Sequence, residues 1–464
     1  MTAEQTATTA RPTALAPRRE IFGWAMFDFA NQAYTLLIIT VIFGDLFTTV
    51  IVGDRGDDYR LGNLLWSLAL AASYLLVVLA GPVCGAVMDY TATKKRFLFA
   101  SYVMTVVATA LLVFVEPGDI LLAMVLIIAS NFAYAIGENF IAAFLPELGP
   151  PRSLGRISGL GWALGYVGGL FAAAFTLAFL GEATAENYDR IRWVGPFAAG
   201  FFLLAALPTF AWVRERGAAQ PRPAGYGYVT LGFRRITDTL RSIAMFRDLA
   251  LFLVSVLFSM GGIYIIITFA FIYGAQVIGW DQDVRNIMFI IVQITAAAGA
   301  LGFGVLQDRL GAKPTYIGTL ALWVVAIIAI WATPEVTRAL NAAFGLAWEA
   351  QHLFLAVGCL AGLSLGSSQS ASRTLVGLFA PESKAAEFFG FWGLANKLAG
   401  MFGIVALGLL QTWVGLRGSI LFCAALFAAA IVLCLPVSQA RGQSAADAWD
   451  ARSAGASRPA DRLQ

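Results

Sequence analysis

The loop after the second apolar stretch reads GAVMDYTATKKR (85–96), and the loop after the eighth reads GVLQDRLGAKPT (304–315). Each loop places an aspartate four residues after a glycine, at Asp89 and Asp308, and basic residues follow. The same pattern at the same place in two parts of one chain indicates an internal duplication.

A second match supports the duplication. It repeats a proline and two glycines with the same spacing, at Pro150, Gly159 and Gly169 and again at Pro381, Gly390 and Gly400. Both matches occur in the same order in the two halves. Repeats of this kind are typical of transporter folds, in which the binding site lies where the repeats meet.

The composition determines the broad class of the protein. Of the 464 residues, 59% are hydrophobic and 13% are charged, whereas ordinary globular domains have about 45–50% apolar and about 25% charged residues. A soluble protein of this size cannot bury so much apolar surface. Soluble globular, collagen-like, coiled-coil and mainly disordered chains are therefore excluded. The formal net charge of +3 does not indicate nucleic-acid binding.

The cysteine and histidine content argues against an enzyme. Four cysteines lie inside apolar runs without a CxxC pair, and His352 is the single histidine. We therefore expect no disulfide framework, no zinc site and no Ser/His/Asp triad. No GxxxxGK[ST] segment indicates ATP as an energy source. The sequence predicts no catalytic residues, no metal and no cofactor.

Twelve apolar runs reach the length of about 20 residues that a membrane-spanning helix needs. We place them at 21–50, 61–87, 97–115, 119–144, 154–180, 191–213, 247–274, 285–307, 314–332, 347–372, 387–411 and 416–436. The runs are too long for strands and lack their alternation. The predicted fold class is an all-α membrane protein with twelve transmembrane helices in two six-helix halves.

The distribution of Lys and Arg predicts the orientation. With both termini cytoplasmic, 23 of the 31 basic residues fall on the cytoplasmic side and 7 in external loops. The predicted segments are a cytoplasmic tail at 1–20, an N-terminal half at 21–213, a cytoplasmic linker at 214–246, a C-terminal half at 247–436 and a disordered cytoplasmic tail at 437–464.

The linker contains a predicted amphipathic helix. Phe233, Ile236, Leu240 and Ile243 recur at helical spacing among arginines. This pattern favours a helix that lies on the inner leaflet of the membrane and tethers the two halves.

The loop at 85–96 resembles the signature of the major facilitator superfamily, although Tyr90 and Ala92 replace its usual Arg and Gly. In that superfamily the loop aspartate contacts neighbouring helix ends and controls the rocking of the two halves. The resemblance therefore implies a gating role, and no substrate contact, for the loop residues Asp89, Lys94, Arg96, Asp308 and Arg309.

A closer resemblance comes from WAMFDFANQAY (24–34), which is similar to the first-span signature of the vacuolar amino-acid effluxers of autophagy and their bacterial relatives. AFLPEL (143–148), GRISGLGWALGYVGG (155–169) and the SASR…PES…FFG stretch (370–390) also resemble that family. The resemblance implies a secondary transporter. Amino-acid export belongs to the fungal branch, and the bacterial branch need not share it.

Three ionisable residues lie inside the predicted spans, where a charge is costly and usually faces a cavity or a partner. They are Asp28, Glu138 and Lys397. Helical spacing puts further polar residues on the same faces of the first and fourth spans, and these spans line the cavity in the superfamily. With Gln369 as the repeat counterpart of Glu138, the predicted cavity set is Asp28, Asn31, Tyr34, Asn131, Tyr134, Glu138, Gln369 and Lys397.

These residues support two interpretations. In the functional one, Asp28 or Glu138 carries a coupling proton, because burial favours a neutral carboxyl, and Lys397 is a counter-charge or binds a substrate carboxylate. In the structural one, a static charge pair holds the helices together. Arg156 and Arg373 lie near predicted cytoplasmic helix ends, where we expect gating or contact with lipid headgroups.

The glycines of the fifth span form overlapping GxxxG pairs, which favour close helix packing and rocking over ligand binding. They are Gly155, Gly159, Gly161, Gly165 and Gly169.

Together these patterns predict a proton-coupled secondary active transporter that alternates access by rocking its halves. We expect a small polar substrate, with an amino acid as one candidate and sodium as the alternative ion. Lipids are the other expected partner, and the protein is expected to be monomeric in the cell membrane, the inner membrane in a bacterium. An uncoupled facilitator, a lipid or drug exporter, and a non-transporting receptor or scaffold are the alternatives.

Overall fold

The structure is a computed structural model that describes residues 12–53, 60–180, 186–216, 219, 227–242 and 244–456. Within these ranges the chain is helical and has no strand. Eleven helices there are long and apolar enough to cross a membrane. In chain order, spans 1 to 11 are Arg18–Val52, Leu61–Thr91, Lys94–Phe114, Ile120–Glu147, Pro151–Phe175, Tyr188–Trp212, Arg247–Ile278, Asp283–Leu310, Ala312–Phe344, Ala350–Phe379 and Glu382–Ser419.

The twelfth predicted span is shorter than the others. Its helix, Leu421–Cys434, has 14 residues and forms a pair with the next helix that is bent by 61°. The chain turns before it at Gly415, where φ is 71°, a left-handed value that glycine adopts without a steric penalty. We call Leu421–Cys434 span 12, so each predicted run has a helical counterpart.

Several spans combine more than one helical segment. Span 3 ends in a 3₁₀ turn at Leu111–Phe114, and span 4 has one at Leu145–Glu147. Further 3₁₀ turns, Pro151–Ser153 and Glu382–Lys384, begin spans 5 and 11. Span 6 consists of Tyr188–Ile191, Val194–Ala205 and Leu207–Trp212.

Span 1 changes its helical type in the middle. Its regular α-helix, Arg18–Tyr34, is followed by a π-helix at Thr35–Val41, a short α-helix at Phe43–Leu46 and a second π-helix at Phe47–Val52. Such π-helical turns are rare and are frequently found at functional sites. The residues of span 1 that are predicted to line the cavity, Asp28, Asn31 and Tyr34, lie near the end of its regular α-helix.

The linker helix, Tyr228–Arg241, docks on both halves of the bundle. We call this end of the bundle the linker face. Gly232 lies against Val83 and Val87 of span 2, while Thr239 donates a hydrogen bond to Glu387 of span 11. Phe233 of the predicted apolar face is 57% exposed, so this side chain is not part of the docked surface. The side chains of Leu240 and Ile243 lie outside the described part.

The C-terminal segment corrects the prediction of a disordered tail at 437–464. It forms a helix, Gln439–Ala456, and residues 457–464 lie outside the described part. Arg441 donates two hydrogen bonds of 2.6 Å to Asp248 of span 7. Asp450 accepts hydrogen bonds from the backbone N–H groups of Glu382 and Ser383. The composition of the tail indicates disorder, because the residues whose contacts hold this helix in place are far away in the sequence.

The two halves meet at the linker face through glycines. A Cβ at Gly85 of span 2 would collide with the carbonyl of Ala386 in span 11. On the opposite side of the bundle, a Cβ at Gly159 of span 5 would collide with the carbonyl of Ala300 in span 8. Glycine therefore permits backbone contact between the halves on both sides of the bundle, and the linker face is closed in this structure.

Replacement of Gly159 by alanine should open the linker face. The new methyl group meets backbone that cannot rotate away, and overpacking costs about 1–3 kcal/mol. A reporter cysteine at Ser153, which is buried at the start of span 5, should react faster with a polar thiol reagent in a background without the four native cysteines. Gly302→Ala is the matched control, because a Cβ there meets nothing within 4 Å. Equal labelling rates in the two variants would contradict the packing argument.

Candidate functional site

The centre of the bundle contains an ion pair between the two halves. Arg373 of span 10 donates a hydrogen bond of 2.7 Å from Nη1 to Oδ2 of Asp28 in span 1. The side chains are only 3% and 13% exposed, respectively. The Cβ-free Gly161 of span 5 makes the room for this pair, since a methyl group there would meet both charged side chains.

Arg373 is held in a pocket built by the N-terminal half. Its Nε and Nη2 donate to the hydroxyl (3.1 Å) and the carbonyl (2.9 Å) of Ser158. Its guanidinium carbon lies 4.6 Å from the ring centroid of Trp24 and 5.3 Å from that of Trp162. The expectation of Arg373 at a helix end is wrong. Span 10 continues to Phe379, so this arginine lies inside the bundle.

A second ion pair also joins the halves. Lys397 of span 11 lies 3.4 Å from Glu138 of span 4. Tyr134 donates a hydrogen bond of 2.9 Å to Glu138 and accepts one of 2.7 Å from Thr35. The Lys397 ammonium also lies 5.1 Å from the ring centroid of Tyr74. Both carboxylates therefore come from the N-terminal half and both cations from the C-terminal half.

A small cavity lies between the two pairs. Its lining consists of Asp28, Asn31, Gln32, Glu138, Trp162, Arg373 and Trp392. Asn31 is 5% exposed, and its Oδ1 is a buried acceptor without a hydrogen-bond partner, as the indole N–H of Trp162 is a donor without one. Buried polar atoms are normally paired, so a water molecule or a small polar group that enters the cavity would be the partner of these two atoms.

The other predicted cavity residues lie behind this lining. The hydroxyl of Tyr34 pairs with Ser130 at 2.8 Å, and the Asn131 amide donates to Ser73 at 2.6 Å. Gln369 accepts a hydrogen bond of 3.4 Å from Tyr166 across the halves. These groups are satisfied within the protein, so they support the site without facing the cavity.

Sequence reasoning missed Arg373, Gln32, Trp162 and Trp392 as site residues. Trp162 and Arg373 both lie in stretches that resemble the transporter family, GLGWALG and SASR. That local resemblance was the available signal. The predicted tenth span ends at residue 372, one residue before Arg373, so the sequence places this arginine near a helix end.

The linker face contains two further carboxylates that join the halves. Asp89 accepts hydrogen bonds from the backbone N–H groups of Ala386 (3.1 Å) and Glu387 (2.8 Å) at the start of span 11. Asp308 accepts from Gly155 (3.0 Å) and Arg156 (3.4 Å) at the start of span 5. Each aspartate thus binds a helix N-terminus of the opposite half, where a negative charge is favourable.

The other loop residues differ in their environment. Lys94 is buried and bridges Asp89 at 3.6 Å and Glu147 at 2.8 Å. Arg96 and Arg309 are exposed at the linker face. Of the five glycines predicted to pack span 5, Gly155 and Gly159 contact span 8, Gly165 lies against the backbone of Asp28, and Gly169 lies near Gln293.

Comparison with known proteins decides the family. A model of the family described as "Vacuole effluxer Atg22 like" matches residues 63–154 and 152–447. The chain belongs to this family. It is 26% identical over 388 residues to the uncharacterized MFS-type transporter YxiO of Bacillus subtilis, which covers 82% of this chain and 86% of YxiO.

Fungal relatives match over a smaller part. Autophagy-related protein 22-2 of Aspergillus clavatus is 23% identical over 282 residues, 58% of this chain and 46% of that protein. The chain spans 46% and 54% of the length of two such fungal relatives, so their full activity does not transfer.

Solved structures with the same fold include two transporters. The proton:xylose symporter XylE has a TM-score of 0.67 at 16% identity and covers 93% of this chain and 98% of its own. The human organic anion transporter MFSD10 has a TM-score of 0.68 at 14% identity, covering 90% and 100%. This Atg22-like chain is therefore a multi-pass transporter with the major facilitator fold, and not an enzyme.

Removal of one partner of the central ion pair should be more destabilising than removal of both. Arg373→Gln leaves the Asp28 carboxylate buried and unpaired, which costs about 3–5 kcal/mol. Asp28→Asn in the same chain should recover most of that loss. The measurement is the unfolding temperature of the purified protein in detergent. If the double variant is no more stable than Arg373→Gln, the pair is not coupled as the geometry requires.

Proposed function

We propose that this Atg22-like transporter is a proton-coupled secondary active transporter of a small polar metabolite, with an amino acid as the first candidate. The observation that carries the proposal is the presence of two ion pairs, the buried Asp28–Arg373 and the partly buried Glu138–Lys397, each of which joins the two halves at a cavity. A transporter that rocks its halves must break or rearrange such contacts in every cycle.

The energetics of the ion pairs favour coupling to protons. Separating two buried charges leaves each one unpaired, at a cost of about 3–5 kcal/mol. A proton on the carboxylate neutralises one of the two separated charges, and a charged solute can pair with the other. The cavity offers two carboxylates, Asp28 and Glu138, together with the guanidinium of Arg373, so it suits a small solute that carries charge or several hydrogen-bonding groups.

The linker face is the gate that this proposal assigns. The Asp89 and Asp308 contacts with helix N-termini hold it closed, and Lys94 balances the charge of Asp89. Arg96 and Arg309 would contact lipid headgroups or the displaced loops. The excess of basic residues supports a cytoplasmic linker face and cytoplasmic termini, with the protein in the cell membrane. Export then requires loading at this face.

A ligand screen comes first, because the solute is undetermined. A ligand at about 100 times its dissociation constant stabilises the folded state by about 2.7 kcal/mol. Amino acids, peptides, sugars, nucleosides and lysolipids are screened by the shift in unfolding temperature. Shifts from amphiphiles alone would favour the lipid or drug exporter, and the metabolite that gives a shift enters the transport assay.

In proteoliposomes, a proton gradient should drive accumulation of that metabolite, whereas a sodium gradient should not. Replacing the coupling carboxyl by its amide, in Asp28→Asn or Glu138→Gln, should abolish the proton-driven part and leave counterflow intact, because exchange needs no net proton movement. Counterflow without any proton-driven accumulation in the unsubstituted protein would indicate an uncoupled facilitator. Absence of counterflow for every metabolite that binds would indicate a receptor.

A further inference from the structure

We infer that Arg373 binds a carboxylate of the transported solute, and that Asp28 occupies the place of that carboxylate when the solute is absent. The inference rests on the proposed transport function and adds to it the binding residue and the chemistry of its ligand. It also distinguishes the two ion pairs: Arg373 exchanges Asp28 for the solute carboxylate, whereas Lys397 takes no partner from the solute.

The guanidinium of Arg373 is fixed by contacts that do not involve Asp28. Two of its nitrogens donate to Ser158, and the rings of Trp24 and Trp162 flank it. Arginine stacks on aromatic faces and presents its donors as a rigid fork. Arg373 would therefore keep its orientation after Asp28 leaves, as long as the two halves remain together, with Nη1 directed at the vacated position.

A solute carboxylate can take the position that the Asp28 carboxylate occupies in this structure. A solute carboxylate has the same planar shape as the Asp28 carboxylate, and guanidinium–carboxylate pairing is the strong, orientation-dependent kind of hydrogen bonding. Both Asp28 and Arg373 line the cavity, which is small in this closed structure, so a solute would reach them once the cavity widens. Asn31, on the next turn of span 1, offers its unpaired Oδ1 to a donor group on the same solute.

The Glu138–Lys397 pair is not placed to exchange its cation with a solute. Lys397 is not among the residues that line the cavity, and its ammonium lies between Glu138 and the rings of Tyr74 and Tyr264. Glu138 is held at the same time by Tyr134, which is held by Thr35. A compact ammonium behind a fixed carboxylate serves as a standing counter-charge.

The exchange requires one proton. The charged groups that act on Asp28 are Arg373 of span 10 and Glu138 of span 4, while span 5 presents Gly161 to it. Without Arg373, the ionised carboxylate would face only the negative Glu138. A proton from solution therefore adds to Asp28, its hydrogen bond with Nη1 breaks, and the solute carboxylate accepts from Nη1 instead. One proton and one carboxylate enter together, so the net charge of the cavity is unchanged.

The test compares acids with their amides on the purified full-length protein. The probes are leucine and leucinamide, lactate and lactamide, and succinate and succinamide, measured by calorimetry between pH 5.5 and 8. We expect at least one acid to bind while its amide binds at least tenfold more weakly. That acid should bind more tightly at lower pH, with uptake of one proton per molecule.

Two variants distinguish the role of Asp28 from that of Arg373. Asp28→Asn should bind the same acid with an affinity that no longer depends on pH, because the neutral amide imitates the protonated aspartate. Asp28→Asn with Arg373→Gln removes both charges, which avoids an unpaired buried group, and should lose acid binding. Asp248→Asn is the matched control, since it disrupts an aspartate–arginine pair at the linker face and should leave the pH dependence of binding unchanged.

The inference is overturned if amides bind as well as acids, if no acid binds, or if the double variant binds like the unsubstituted protein. It is also overturned if Asp28→Asn keeps the pH dependence. Failure here is distinct from failure of the proposed function. Proton-driven transport of an uncharged or cationic solute would contradict the carboxylate inference and leave the transport proposal standing, whereas absence of counterflow for every solute would contradict the transport proposal.

Discussion

The insertion of one arginine from the C-terminal half into a pocket of the N-terminal half is the contact on which the rest of the site depends. Arg373 donates hydrogen bonds to Asp28 and Ser158 and lies against the rings of Trp24 and Trp162, and all four residues belong to the opposite half. A charge buried so fully is tolerated only while it is paired. The position of the two halves is therefore tied to the ionisation of one carboxyl.

Other polar contacts of the structure also join the two halves or hold the helices at their boundary. Asp89 and Asp308 occupy equivalent positions in the two repeats, and each binds the N-terminus of a helix in the opposite half. The linker helix and the C-terminal helix then converge on the start of span 11, where Thr239 and Asp450 hold residues 382–387. The closed linker face is thus built from polar contacts with backbone groups, which can be broken and remade without repacking a core.

The sequence predicted the global layout because apolar length and duplication are local properties. Twelve runs, two halves and a helix in the linker are all visible in hydropathy and spacing. Asp28, Glu138 and Lys397 were found because an ionisable residue in an apolar run is conspicuous. Arg373 was missed because a polar SASR stretch resembles a span end, and only long-range packing shows that it is buried. The docked C-terminal helix was missed for the same reason, since its partners Asp248 and Glu382 are far away in sequence.

A distance measurement across the linker face tests whether the Asp28–Arg373 contact holds the two halves together. Spin labels at Arg152 of span 5 and Arg309 of span 8, both exposed at that face, report the separation of the halves in a background without native cysteines. We expect one short distance in the unsubstituted protein at neutral pH. We also expect an added population several ångströms longer in Asp28→Asn, and in the unsubstituted protein at low pH. Identical distance distributions in all three samples would show that the Asp28–Arg373 contact does not hold the linker face closed.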